Sequence, residues 1–192
     1  MKQYTSCFIG VPLPKEYQAG FERLLAGVGK LYPNWEITYP KTPHITVYYL
    51  DKQAQYVLPA IANIVQTKIS ILKNLVLVVN SFDYFSKKDS RDGIVFLDIV
   101  YPSAFVDFNL AITNTLSKYY SADNNLSFHP HMTVARIRGI NNILSMKHYI
   151  SNIKCNIDKI NWEFPITEIV LYGVDSTKKP QHQEKLIHIP VK

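Results

Sequence analysis

The chemistry-bearing residues of this chain come in two matching sets. Pro43-His44-Ile45-Thr46-Val47 is repeated 87 positions later as Pro130-His131-Met132-Thr133-Val134, with an apolar residue at the single position that differs. Successive side chains of an extended strand point to opposite faces. Each copy would therefore put its histidine and threonine on one face and its apolar pair on the other. A lone histidine on a strand is usually a packed or hydrogen-bonded residue, but the duplicated context favours a joint role. Histidine exchanges a proton near neutrality, and a threonine hydroxyl can donate to an anionic oxygen. Two such pairs suit proton transfer around a small anion.

Opening a cyclic phosphodiester needs this set. A base takes a proton from the attacking water and an acid returns one to the departing ribose oxygen, each transfer contributing about 10²- to 10⁴-fold. In-line attack requires the two groups to flank the phosphorus, so the histidines should come from facing strands. Hydroxyl donors on the non-bridging oxygens would hold the phosphate and offset its charge. The scheme requires no metal. His129 and His131 could share an ion, but no Cys, Asp or Glu cluster accompanies them in the sequence, and His129 is expected to shape the Pro130 turn. Tyr48 has the parity of His44 and is a candidate to line the cleft. Phe82, Tyr84 and Phe85 could stack on a base, although such a run is more often core.

The elements that must position these residues follow from periodicity and punctuation. Strands are expected over Thr5–Val11, Trp35–Tyr39, His44–Leu50, Leu75–Phe85, Ile94–Tyr101, His131–Ile137, Phe164–Val174 and Leu186–Val191. Helices are expected from Pro14 to about Leu31, over Gln53–Lys68 with Pro59 near its true start, over Ser103–Tyr120 and over Asn141–Asn152. The two motif strands fall at similar places relative to their neighbouring helices. The fold class is therefore α+β and bilobal. Two pseudo-symmetric antiparallel sheets carry helices on their outer faces around a central cleft, and a single domain of two interleaved lobes spans 1–192.

The 192 residues carry a net charge of +6, which favours an anionic partner, yet the lysines are too scattered for a duplex-DNA surface. No apolar run approaches the ~20 residues of a membrane span, and the N-terminus shows no signal peptide. A cytoplasmic protein with no membrane association follows, a monomer with no cofactor. Cys7 and Cys155 are expected to be reduced thiols.

The doubled His-x-Thr-apolar signature resembles the two-histidine (2H) phosphoesterase superfamily. Phe8-Ile9-Gly10-Val11-Pro12-Leu13-Pro14 resembles the first strand of its LigT-like branch, the RNA 2′,3′-cyclic phosphodiesterases also named 2′-5′ RNA ligases. Thr42–Leu50 is similar to the first motif of that branch, Phe128–Arg136 to the second and Phe164–Tyr172 to the strand that follows. The resemblance implies that His44 and His131 are the acid and base, in an order the sequence leaves open, and that Thr46 and Thr133 bind phosphate. It implies metal-independent opening of RNA-terminal 2′,3′-cyclic phosphates to 2′-phosphates, with reverse 2′-5′ ligation as a side activity. RNA 3′ ends or small cyclic or oligonucleotide substrates are the implied partners. Phosphodiesterases for 2′-5′-linked oligoadenylates or cyclic oligonucleotides share these motifs, and a non-catalytic RNA-end binder could keep the fold. Arg136 would add charge at the second motif, but period-2 counting puts it on the face opposite His131, so a bulge or the end of the strand must redirect it. Tyr49 stands in its place in the first copy and reads as core.

Overall fold

The structure is a computed structural model of the 192-residue chain, and it describes residues 3–28, 35–86, 92–120, 128–139, 146–152, 162–175 and 182–192. In chain order the elements are β1 (Gln3–Pro12), α1 (Lys15–Val28), β2 (Glu36–Thr38), β3 (His44–Ala54), α2 (Leu58–Gln66), β4 (Val76–Ser86), β5 (Gly93–Val100), α3 (Ser103–Leu116), β6 (His131–Arg138), β7 (Glu163–Pro165), β8 (Glu168–Asp175) and β9 (His182–Pro190). Residues 146–152 are helical.

Most expected elements are present with shifted ends, but the single strand expected over Phe164–Val174 is two: β7 pairs with β4, and β8 pairs with β1 and β9 in the other half of the sheet. Gln53 and Ala54 extend β3, and a 3-10 turn over Gln55–Val57 leads into α2, which has Pro59 in its first turn, where a missing N–H costs nothing. α3 stops at Leu116 rather than Tyr120. The end of the first expected helix beyond Val28, the stretch 141–145 and Cys155 lie outside the described residues.

All strand pairings are antiparallel. The order β7-β4-β5-β6-β3-β1-β8-β9, with β2 also paired to β6, makes one nine-stranded sheet. In place of the two expected sheets, the strands of the two motif halves join in this one, because β3 and β6 pair at its centre. β3, β1, β8 and β9 come from both ends of the chain, and β6, β5, β4 and β7 come from its middle. The lobes meet where β3 and β6 pair, through Ile45 and Met132 alone. Each motif strand is thus the innermost strand of its lobe.

The helices interleave the halves. Tyr17 of α1 packs on Trp162 and Phe164, and its hydroxyl donates to the Glu163 carbonyl at 2.6 Å. A β-carbon on Gly20 would stand 3.0 Å from the Trp162 ring, so the small residue lets α1 approach closely. From the other half, α3 reaches back to β3, where the Asn109 side-chain amide donates to the Val47 carbonyl at 2.7 Å. One hydrophobic core continues beneath both lobes. A separate small cluster of Phe8, Val170 and Tyr172 lies on the opposite face of the β1–β8 ribbon, and it is there that the motif side chains emerge.

Candidate active site

The single β3–β6 pair fixes the relation between the two motifs. Carrying the antiparallel register one residue either side of Ile45 and Met132 sets His44 toward Thr133 and Thr46 toward His131. Directly opposed residues have β-carbons about 5 Å apart. In that register each histidine faces the other copy's threonine, one step from the Ile45–Met132 pair.

Both imidazoles are fixed in the same way. His44 Nδ1 lies 2.7 Å from the Thr42 carbonyl oxygen, and His131 Nδ1 lies 2.8 Å from the His129 carbonyl oxygen. A carbonyl only accepts, so Nδ1 carries the proton in each ring, and in the neutral form Nε2 is left as the acceptor. Pro43 is tied down by its carbonyl, which accepts from the Leu13 amide at 3.1 Å and anchors the turn ahead of His44. The Gln183 amide lies 3.3 Å from His44 Nδ1, a longer second contact.

Aromatic rings wall each histidine. His44 stacks on Phe8 at 4.5 Å, Phe8 stacks on Tyr172 at 4.7 Å, and Tyr172 closes on His44 at 5.0 Å. Around His131 the rings stand edge-on, with Phe85 at 5.1 Å and Phe96 at 5.2 Å. Gly10 floors the first cluster. A β-carbon there would lie 2.9 Å from the Ile45 carbonyl and 3.5 Å from the His44 ring.

These walls set the electrostatics. Burial, more than any other cause, pushes His44 down to about 4, and the charges of His131, Arg136 and Lys185 add to it against the raising effect of the Thr42 carbonyl. His131 is also lowered, first by burial and then by His129 and Arg136, while the His129 carbonyl and Asp98 oppose the change. The Arg136 charge is thus felt at both rings.

Arg136 owes its place to a bulge. Ala135 pairs with Val95 and Thr133 with Phe96, so Val134 is the extra residue. The shift returns Arg136 to the face of His131, as the sequence required. The first copy contains the same bulge. Gly10 pairs with Thr46 and Ile9 with Tyr48, which leaves Val47 extra, and it is the Val47 carbonyl that Asn109 satisfies. Two expectations fall with it. Tyr48 turns into the core at 2% exposure and does not line the cleft, and Tyr49 comes out opposite Phe8 at 40% exposure. The aromatic run also divides. Phe82 is buried and Tyr84 packs on the core, whereas Phe85 lies over Phe96 at 4.1 Å beside His131.

The model of the 2′-5′ RNA ligase superfamily matches residues 25–177. The chain belongs to that superfamily. Its fold is that of TT0787 from Thermus thermophilus, at a TM-score of 0.70 and 15% identity over 97% of each chain. E. coli LigT superposes in its apo form at 0.64, with 15% identity over 100% of this chain and 99% of that one. LigT complexed with 3′-AMP superposes at 0.65, with 14% identity over the same shares. No curated protein of similar sequence was found. The fold thus agrees with the two-histidine phosphoesterase architecture expected from the motifs.

Within this superfamily member, six side chains that the sequence did not single out reach the site: Phe8, Tyr172, Lys185 and Gln183 around His44, and Phe96 and Asp98 around His131. β8 brings Tyr172 beside Phe8, and β9 brings Lys185 opposite Tyr172. The Phe8–Gly10 spacing was a usable signal, since both residues share a strand face. Among the described residues no three His, Cys, Asp or Glu side chains form a metal-holding group, and His129 instead pairs with Asp98 at 3.2 Å. Cys7 is a free buried thiol pushed up to about 11 by burial. Among those residues no helix is long and apolar enough to cross a membrane.

Proposed function

We propose that this chain hydrolyses RNA-terminal 2′,3′-cyclic phosphates to 2′-phosphates through His44 and His131. The observation that carries the reading is the matched pair of Nδ1–H bonds to the carbonyls of Thr42 and His129. Each ring then has the tautomer and orientation that proton transfer through Nε2 needs. One Nε2 removes a proton from water as its oxygen bonds to phosphorus. The other histidine, protonated, gives its proton to the ribose 3′-oxygen as the P–O3′ bond breaks. Exchange with solvent then restores the starting protonation state.

Thr46 and Thr133 donate to the non-bridging oxygens, one from each strand. Arg136 neutralises the charge that grows on them, where its guanidinium favours the transition state over the ground state. Because burial holds both histidines neutral in the free protein, the arriving phosphodiester anion supplies the negative field that lets one of them protonate. A nucleotide end is the natural occupant. E. coli LigT has been crystallised with 3′-AMP and with ATP, and the aromatic walls here suit a nucleoside. Ligation of 2′-5′ ends is the same path in reverse.

A 2′,3′-cyclic nucleotide incubated with the protein in EDTA tests the reading, with the product resolved from its 3′-phosphate isomer. Turnover to the 2′-phosphate is expected, with His44→Ala and His131→Ala each losing about 10²- to 10⁴-fold. Full activity in either variant would overturn the mechanism. Tight binding of cyclic-phosphate RNA without turnover would make the protein an RNA-end binder. A panel of 2′-5′-linked and cyclic oligonucleotides identifies a different substrate if the mononucleotide is untouched.

A further inference from the structure

The two copies of the motif hold their histidines by the same bond but support that bond differently. In the first copy the carbonyl belongs to Thr42, and the strand partner of His44 is Pro12. In the second the carbonyl belongs to His129, and the strand partner of His131 is Asp98. Only there are the two supporting residues joined to one another, His129 Nε2 lying 3.2 Å from Asp98 Oδ1. The His129 ring also stands edge-on to Phe85 and Phe96, the same rings that wall His131. We propose that Asp98 and His129 are positioning residues for His131: their side-chain pair fixes the backbone carbonyl that orients the His131 ring.

The difference between the walls explains why one copy needs the device. His44 lies flat in a stack with Phe8, so its plane is set by face-to-face packing as well as by its hydrogen bond. His131 meets its aromatic neighbours edge-on, at 80° and 61°, an arrangement that leaves rotation about the ring axis to the Nδ1–H bond. The Nδ1 acceptor must then be immobile. His129 sits at the entrance to β6, with a half-exposed side chain whose partner on β5 is anchored in the sheet. A pair this exposed adds little to global stability, so its effect is local.

The charges around His131 come from each element packed against it. His129 and Arg136 lie on its own chain segment, Asp98 on β5 and His44 on β3. The His129 carbonyl and the Asp98 carboxylate favour the protonated ring, and the His129 side chain opposes it. Breaking the pair from either end loosens the His131 Nδ1–H bond, so the discriminating readout is the tautomer; the change of charge shifts the midpoint whether or not the pair positions the ring.

The inference rests on the proposed reaction for its kinetic arm and on NMR for its other arm. Imidazole 15N and 13C spectra of the full chain give the tautomer and titration midpoint of His131 in wild type, Asp98→Asn, Asp98→Glu and His129→Gln. Asp98→Asn is expected to lower the midpoint, and Asp98→Asn and His129→Gln are both expected to reduce the Nδ1–H population. On a 2′,3′-cyclic nucleotide, both should lower kcat about tenfold with KM little changed, the cost of a slightly misplaced group, and Asp98→Glu should recover most of the loss. An unchanged tautomer in Asp98→Asn and His129→Gln would overturn the inference. If Asp98→Asn fails to fold, the tautomer in His129→Gln decides it. A wild type without turnover refutes the proposed reaction alone, because the spectra still decide what holds His131.

Discussion

Replacing His44 by Gln should make the protein less sensitive to acid, and the size of the effect follows from where the ring sits. Stacked on Phe8, closed by Tyr172 and facing the charges of His131, Arg136 and Lys185, His44 takes up a proton only near about 4. In the unfolded chain the same ring protonates near 6.5. Between those values the unfolded state binds more protons than the folded one, so stability falls as the pH drops through 6.5 and the loss levels off below about 4. Linkage puts the His44 contribution at up to ~2 kcal/mol by pH 5 and ~3 kcal/mol by pH 4, relative to pH 7.5. These are upper bounds, because one edge of the ring reaches the cleft. For a chain of this length ~2 kcal/mol corresponds to about 4–8 °C in Tm. Urea denaturation of wild type and His44→Gln at pH 7.5, 6, 5 and 4 measures the difference directly, since Gln has no proton to gain and His131 titrates in both proteins. The wild type should lose stability faster, with the gap opening between pH 6.5 and 4. Parallel curves would refute the claim that the fold holds His44 neutral, and with it the account of how substrate charge switches the site on.

Other expectations follow from the same geometry. Because both histidines are lowered in the free protein, the kcat/KM profile for a cyclic nucleotide should peak on the acid side of pH 6.5 and fall toward neutrality; a plateau extending from pH 7 to 9 would contradict it. Gly10→Ala puts a β-carbon 2.9 Å from the Ile45 carbonyl, which cannot swing aside as a side chain would. It should cost about 1–3 kcal/mol in urea and lower turnover, as overpacking does. Asn109→Leu orphans the buried Val47 carbonyl and should cost about 1–3 kcal/mol in the same assay, with turnover falling further if the bulge closes.

Much of this was legible in the sequence because the signals were local. The Pro-His-apolar-Thr-Val repeat marks both histidines and both threonines, and punctuation by Pro12, Pro14, Pro43 and Pro130 marks the strand edges they lie on. Phe105, Phe108, Ile112 and Leu116 keep helical spacing, and all four are buried on α3. What escaped was set by pairing between distant segments. Nothing near Phe8 says that β8 will lie alongside it and bring Tyr172 into a stack, and nothing near Lys185 says that β9 will carry it toward His44. Gln53 reads as helical because Val57, Ile61 and Val65 have helical spacing, yet pairing with β1 keeps the chain extended through Ala54. Long-range hydrogen bonds override a local preference that is itself sound.

Tyr48 and Tyr49 show why strand parity fails at one point of the site. Counting by twos assumes an unbroken ladder, and one extra residue exchanges every later side chain between faces. The requirement for a bulge could be inferred in the second copy, because a charged Arg136 directed into the core would have been untenable. In the first copy the equivalent residue is Tyr49, which either face can accommodate, so the sequence raises no objection. Yet the bulge falls at the same valine in both copies, Val47 and Val134. The repeat is therefore longer than its five matching letters: it includes a backbone irregularity that presents the fifth residue after each histidine to the cleft. The two halves use that place differently, an arginine in one and a tyrosine in the other. One of two near-identical strands thereby carries an arginine with its histidine and the other a tyrosine, so the pseudo-symmetry of the backbone does not extend to the chemistry of the site.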